Sequence, residues 1–138
     1  MLGYAICTNN KAMPQTIEYD EAGYIYVIYE GNFDVKGALA VLTEVTSFVK
    51  EYDCHRVLAD LRNATMNIST IHIYDLPGLL LGQAVKAGIS LNHLKRAMVV
   101  PASQIENFRF FETVSFNRMQ TLRLFRDVEE ARAWLLAD

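Results

Sequence analysis

Arg62 stands two residues beyond Asp60 in the run Asp60-Leu61-Arg62-Asn63-Ala64-Thr65. A planar guanidinium among polar neighbours can grip a carboxylate or phosphate through two parallel N–H bonds. Asp60, Arg62, Asn63 and Thr65 therefore form a candidate set for binding a partner or ligand. Ser103, following Pro101 and Ala102, and the pair Arg126-Asp127 offer polar groups behind two other short apolar runs. A plainer use competes with this one. Arg62 can pair with an acidic neighbour while Ser103 and Asp127 only cap helices, and the residue types favour that use.

Catalytic machinery is harder to find. His55, His72 and His93 are scattered, with no H-E-x-x-H or D-x-D cluster beside them, so each reads as a surface or hydrogen-bonded histidine and no metal is expected. Cys54 adjoins His55, but adjacent residues on an extended segment point to opposite sides, which argues against an activated thiolate. Glu18 with Asp20 suits an exposed strand, and Glu129 with Glu130 suits the first turn of a helix. The chain has no G-x-G-x-x-G turn, no G-x-x-x-x-G-K-[ST] loop and no G-x-S-x-G elbow. No cofactor is expected and a non-enzymatic role is favoured; an enzyme built on Arg62 with Asp60 or Asp127 has the least support.

Two apolar stretches exceed what one helix face can hide. Leu79, Leu80 and Leu81 follow one another, and Phe110 and Phe116 fall off the face that Phe108, Phe111 and Val114 would share. Leu79, Leu80, Leu81 and Phe110 thus mark an apolar groove or interface. It would serve a small apolar or lipid-like ligand or, preferably, belong to a fully buried helix or a homodimer contact. The phenylalanine-rich stretch is no nucleic-acid platform, because 13 Lys and Arg against 16 Asp and Glu leave a net charge of −3.

The elements that must position these residues can be read from the pattern. At 138 residues and 51% hydrophobic, the chain fits a single domain over 1–138, a lead over 1–15 and a core over 16–137. Folding at this size hides about two thirds of the surface, enough for a core without disulfides or metals. Cys7 and Cys54, with no C-x-x-C, read as reduced thiols of a cytoplasmic protein. The apolar Leu2 to Cys7 lacks a basic n-region and is too short for a signal peptide. The run from Leu76 to Ile89 is also short of the roughly 20 residues of a membrane span, so no integral membrane segment is expected.

Ile17 to Asp20 and Tyr24 to Glu30 read as a hairpin closed by Glu21-Ala22-Gly23, with Gly31-Asn32 breaking the second strand. Asp34 caps a helix carrying Leu39, Leu42, Val45, Val49 and Tyr52 at spacings of 3 and 4. Arg56 to Leu61 is a strand ending in a loop at Arg62-Asn63. Ser69 or Thr70 caps a helix that Pro77 splits, or whose second half Pro77 starts, and that Gly88 stops. Arg96 to Val100 is the next strand, Ser103 and Glu106 form a capping box for a helix to about Arg118, and Thr121 to Phe125 precedes a last helix capped by Asp127. The order β-β-α-β-α-β-α-β-α predicts an α/β fold: a mostly parallel sheet flanked by helices, with an antiparallel N-terminal hairpin strand. In such sheets the carboxyl ends of the strands meet ligands and partners, and that edge is where Asp60, Arg62, Asn63, Thr65 and Ser103 fall.

The segments VLADLR, IYDLP, KRAMVVP, FRFFETVSFNR and LRLFRDVEEARAWL together resemble the small bacterial STAS-like proteins of the SpoIIAA-like fold, over about Ile17 to Leu136. The resemblance implies a sheet flanked by helices and a protein-binding regulatory module with no established activity. It also implies that anti-sigma-factor antagonists carry a phosphorylatable Ser in a D-S-[ST]-G turn after the strand matching RVLADL. This chain has Leu61 after Asp60 and no closing Gly, which leaves Thr65, Ser69 or Thr70 as the hydroxyls available to a kinase.

Overall fold

The computed structural model describes residues 15–117 and 120–137, with the side chains of residues 70, 71 and 73 left out. Cys7, the Leu2 to Cys7 stretch, the expected helix end at Arg118 and capping by the Thr70 side chain lie outside the described residues.

β1 (Gln15–Asp20) and β2 (Tyr24–Phe33) form the expected hairpin, with Ile17 opposite Val27. Gly23 closes it at φ 108°, a left-handed conformation open to glycine, and its N–H donates to the Asp20 carbonyl at 2.9 Å. Then follow α1 (Val35–Tyr52), β3 (Arg56–Met66), α2 (Thr70–Lys86), β4 (Lys95–Val99), α3 (Ile105–Asn117), β5 (Thr121–Phe125) and α4 (Val128–Leu136). The strands lie in the order β1-β2-β3-β4-β5, and all pairs after the hairpin are parallel.

Each crossover moves to the adjacent strand in the same direction, so a single hand of connection puts α1, α2 and α3 on one face. The larger core lies beneath them, where Val27, Val57, Leu61 and Met98 from the sheet meet Leu42, Val45, Leu76 and Phe111 from the helices. Side chains alternate along each strand, so Tyr24, Leu58, Ala97 and Val99 face the other way, where α4 covers them with Ala131 and Leu135. Asp34 and Asp127 cap α1 and α4, accepting from the Gly37 N–H at 2.7 Å and the Glu130 N–H at 3.2 Å.

Four expectations are corrected. Gly31-Asn32 does not break β2, and Arg62-Asn63 is not a loop: β2 runs to Phe33 and β3 to Met66, because each extension supplies the other's ladder from Glu30↔Asn63 to Phe33↔Met66. Gly31 accommodates this at φ 96°. Pro77 does not split α2, which is continuous from Thr70 to Lys86. Burial of Leu76, Leu80 and Ala84 against the core outweighs the hydrogen bond that Pro77 cannot donate. Ser103 forms no capping box, since residues 102–104 make a 3-10 turn with no side-chain cap and α3 begins only at Ile105. Leu80 is core at 5% exposure and Leu81 packs against it, leaving Leu79, at 49%, as the exposed member of the trio. As the middle helix of its layer, α2 contacts α1, α3 and the core, and so buries a wider arc than one face.

Candidate functional site

The Asp60 carboxylate is the centre of the polar set. It lies on β3 opposite Val99 of β4, on the sheet face that α4 partly covers, and its side chain is buried. Four donors converge on it. The Arg62 backbone N–H and Nε donate to Oδ1 at 3.1 and 2.9 Å, Arg62 Nη2 donates to Oδ2 at 2.7 Å, and the Tyr26 hydroxyl donates to Oδ2 at 3.2 Å.

A β-bulge makes this geometry. Ile28 pairs with Asp60 and Glu30 with Asn63, so Leu61 and Arg62 stand where β2 has Tyr29 alone. The extra residue bends the strand and lets Arg62 fold back on Asp60 two positions earlier. It also changes the alternation, so that Leu61 and Ala64 are both buried while Arg62, Asn63 and Thr65 are exposed.

Burial pushes the Asp60 carboxyl up, but the hydrogen bonds and charge of Arg62, with the Tyr26 hydroxyl, hold it below the ordinary carboxylate range. Arg62 is correspondingly raised, first by its bonds to Asp60, with a smaller contribution from the charge of Asp127 at the start of α4. Burial raises the Tyr26 phenol, helped by the adjacent carboxylate. Arg62 therefore does pair with its acidic neighbour. Its side chain nonetheless remains 52% exposed, and a guanidinium has about five N–H groups, of which Asp60 takes two from the side chain. A rigidly held cation with donors to spare faces solvent beside Asn63 and Thr65.

Ser103 also falls at the carboxyl edge of the sheet, on the exposed 3-10 turn after β4, but no bond ties it to the Asp60 cluster. The residue joining that turn to β3 is Gln104. Its Oε1 accepts from the Met66 N–H at 3.1 Å and from Asn107 Nδ2 at 3.2 Å. Sequence reasoning missed it because a lone glutamine carries no spacing signal. Leu79 and Phe110 are exposed on α2 and α3, in the helix layer on the opposite face from Asp60, so the two candidate sets are separate surfaces. Cys54 is buried with its thiol against the Gly23 carbonyl at 3.4 Å while His55 is exposed, so the two do not act together. Among the described residues no group of three or more His, Cys, Asp or Glu converges.

No known family's sequence profile matches the chain, and no curated protein matches it by sequence. Solved structures do. The anti-sigma factor antagonist SpoIIAA in its unphosphorylated form superposes with a TM-score of 0.53 at 10% identity, covering 90% of this chain and 99% of its own. An anti-sigma factor antagonist from Mycobacterium paratuberculosis gives 0.56 at 14% identity, over 89% and 93%. An uncharacterised DUF3478-family protein with a SpoIIAA-like fold from Shewanella loihica PV-4 gives 0.51 at 16% identity, over 88% and 91%. The fold is SpoIIAA-like, as the resemblance implied. Leu61, which follows Asp60 where the sequence resemblance implied a serine, is 2% exposed in the core.

Proposed function

We propose that this chain is a non-enzymatic regulatory module that binds a protein partner through the edge formed by Asp60, Arg62, Asn63 and Thr65. The observation that carries this reading is the Arg62 guanidinium, clamped by Asp60 yet half exposed. A preorganised cation loses little entropy on meeting a carboxylate of a partner. The structural neighbours include two anti-sigma factor antagonists, which supports a role in protein regulation. Leu61 has no hydroxyl to phosphorylate, which leaves Thr65, exposed on β3, as the hydroxyl of this edge. A cytoplasmic setting fits such a role; among the described residues no helix is long and apolar enough to cross a membrane.

The test is capture from the protein's own cell extract, followed by a hydrogen-exchange footprint of the purified complex. Protection at residues 60–65 that disappears with Arg62→Ala supports the reading. Protection on α2 and α3 around Leu79 and Phe110 instead refutes the proposed edge.

A second reading, a sensor or carrier of a small apolar ligand, is favoured by a cavity of about 80 Å³ between the sheet and its three-helix layer. That cavity, rather than a surface groove at Leu79 to Leu81, is where such a ligand would sit. Leu80 lines it, whereas Leu79 does not.

A further inference from the structure

β5 ends the sheet. Among the described residues it has a neighbouring strand, β4, on one side only, and an edge strand presents N–H and C=O groups to whatever comes beside it. Successive residues of a strand turn these groups to alternate sides. The Phe125 carbonyl accepts from the Val100 N–H at 2.9 Å, so Phe125 faces inward, and Leu122, Leu124 and Arg126 face the open side. One of the outward donors is taken: the Leu124 N–H donates to Oε2 of Glu112, on α3, at 2.9 Å. The other edge of the sheet is closed. Gln15 and Ile17 of β1 are buried, and Gln15 Nε2 donates to Glu44 Oε1 at 2.8 Å.

There is room beside β5. Glu112 and Phe116 of α3, Leu122 and Arg123 of β5 and Trp134 of α4 line one groove of about 440 Å³. Because α3 and α4 cover opposite faces of the sheet, a groove that touches both must pass the edge strand. Phe116 stands exposed beside it.

The residue order of β5 suits a second copy of itself. In an antiparallel ladder, outward residues must meet outward residues, which allows a two-fold axis at Leu122, Arg123, Leu124 or Phe125. An axis at Leu122 draws in Gln120, which is buried and bonded to Arg96 and to the Pro77 carbonyl. An axis at Arg123 opposes two guanidiniums, and one at Phe125 runs into Asp127, the cap of α4. An axis at Leu124 sets Arg123 opposite Phe125 of the second copy, and within one chain Arg123 already lies 5.6 Å from that ring. The central rung of this ladder needs the Leu124 N–H, the donor that Glu112 holds.

We infer that the outer edge of β5 is a docking site for β5 of a second copy, joined antiparallel about Leu124, with the Glu112 carboxylate as the cap that must give way. The two five-stranded sheets then become one, and Phe116 is covered at the seam. A carboxylate is a stronger acceptor than a carbonyl, so the cap weakens the pairing and sets its strength. The site is independent of the Arg62 edge on β3, and the failure of either leaves the other standing.

The experiment is sedimentation of the full chain over a concentration series, with hydrogen exchange at the Leu124 amide, for wild type, Glu112→Gln and Glu112→Ala. Glu112→Ala should dimerise about tenfold or more tighter than wild type, with Leu124 exchange slowing as concentration rises. Glu112→Gln keeps a weaker, neutral acceptor and should fall between the two. Adding Arg126→Pro to Glu112→Ala removes an outward donor, leaves the Phe125 carbonyl bond to Val100 intact, and should abolish the gain. A Glu112→Ala chain that stays monomeric at high concentration overturns the proposal. So does a dimer whose Leu124 exchange ignores concentration, or whose protection lies around Leu79 on α2. Should Glu112→Ala fail to fold, Glu112→Gln decides, and a dimer no tighter than wild type overturns the cap.

Discussion

Replacing Asp60 with asparagine keeps the side-chain shape and removes the charge on which four donors converge. One amide oxygen can still accept from the Arg62 backbone N–H and Nε. The new NH2 group then faces Arg62 Nη2, where two donors oppose each other, and the Tyr26 hydroxyl must turn from donor to acceptor. A hydrogen bond to a charged group contributes about 1.5–3 kcal/mol net. Half of the Arg62 side chain reaches water and recovers solvation on release, which discounts the loss to about 1–2 kcal/mol. For a domain of this size that lowers the melting midpoint by roughly 3–8 °C. The dependence on pH has a definite sign. Because the native carboxyl is held below its unfolded value, its contribution is full above that unfolded value and disappears as pH falls through the native one. The gap between wild type and Asp60→Asn should therefore be widest near about pH 7 and should close below about pH 4. Thermal and urea melts across this range measure it, and Asp60→Asn should cost less in an Arg62→Ala background. Equal midpoints at neutral pH, or a gap undiminished in acid, would refute the assignment of the carboxylate as the organiser of the bulge.

Gly37→Ala places a Cβ on the Tyr29 hydroxyl, which holds the Asn32 carbonyl, and should destabilise by about 1–3 kcal/mol in denaturant melts. Tyr29→Phe in the same chain should restore part of that loss; full stability in Gly37→Ala alone would contradict the packing. Gln104→Ala frees the Met66 N–H, so it should cost about 1 kcal/mol and speed hydrogen exchange at the end of β3 while α4 stays unchanged. Leu79, Phe110 and Phe116, the last 75% exposed, should support a homodimer detectable by sedimentation, and a strictly monomeric species at high concentration counts against it. Replacing Arg96 by Met removes a cation whose Nε has no acceptor but also strips the buried Gln120 Oε1 of its donor, so the two effects oppose and stability in denaturant melts should change by less than about 2 kcal/mol, a larger loss counting against this account.

The element order and its sheet were legible because they rest on local and periodic signals. The hairpin around Gly23, the caps at Asp34 and Asp127, and the helical spacing of Leu42, Val45 and Val49 each act over a few residues and recur in the structure. The pairing of Arg62 with Asp60 was also within reach, since two residues separate them. What the linear chain does not carry is the partner across space. The extension of β3 through Arg62 to Met66 depends on β2 supplying a ladder, and the bulge depends on a register between strands about thirty residues apart. Pro77 survives inside α2, and Leu80 is core rather than groove, because α1, α3 and the sheet press on that helix from several sides. Arg96 gave no sign in the sequence, where it reads as the polar start of a strand. It becomes a buried cation in an apolar cavity only because the sheet places it between Val57 and Leu122 and the three helices close over that face. Periodicity determines which residues share a face; packing of distant elements determines which of those faces meets water, a cavity or another chain.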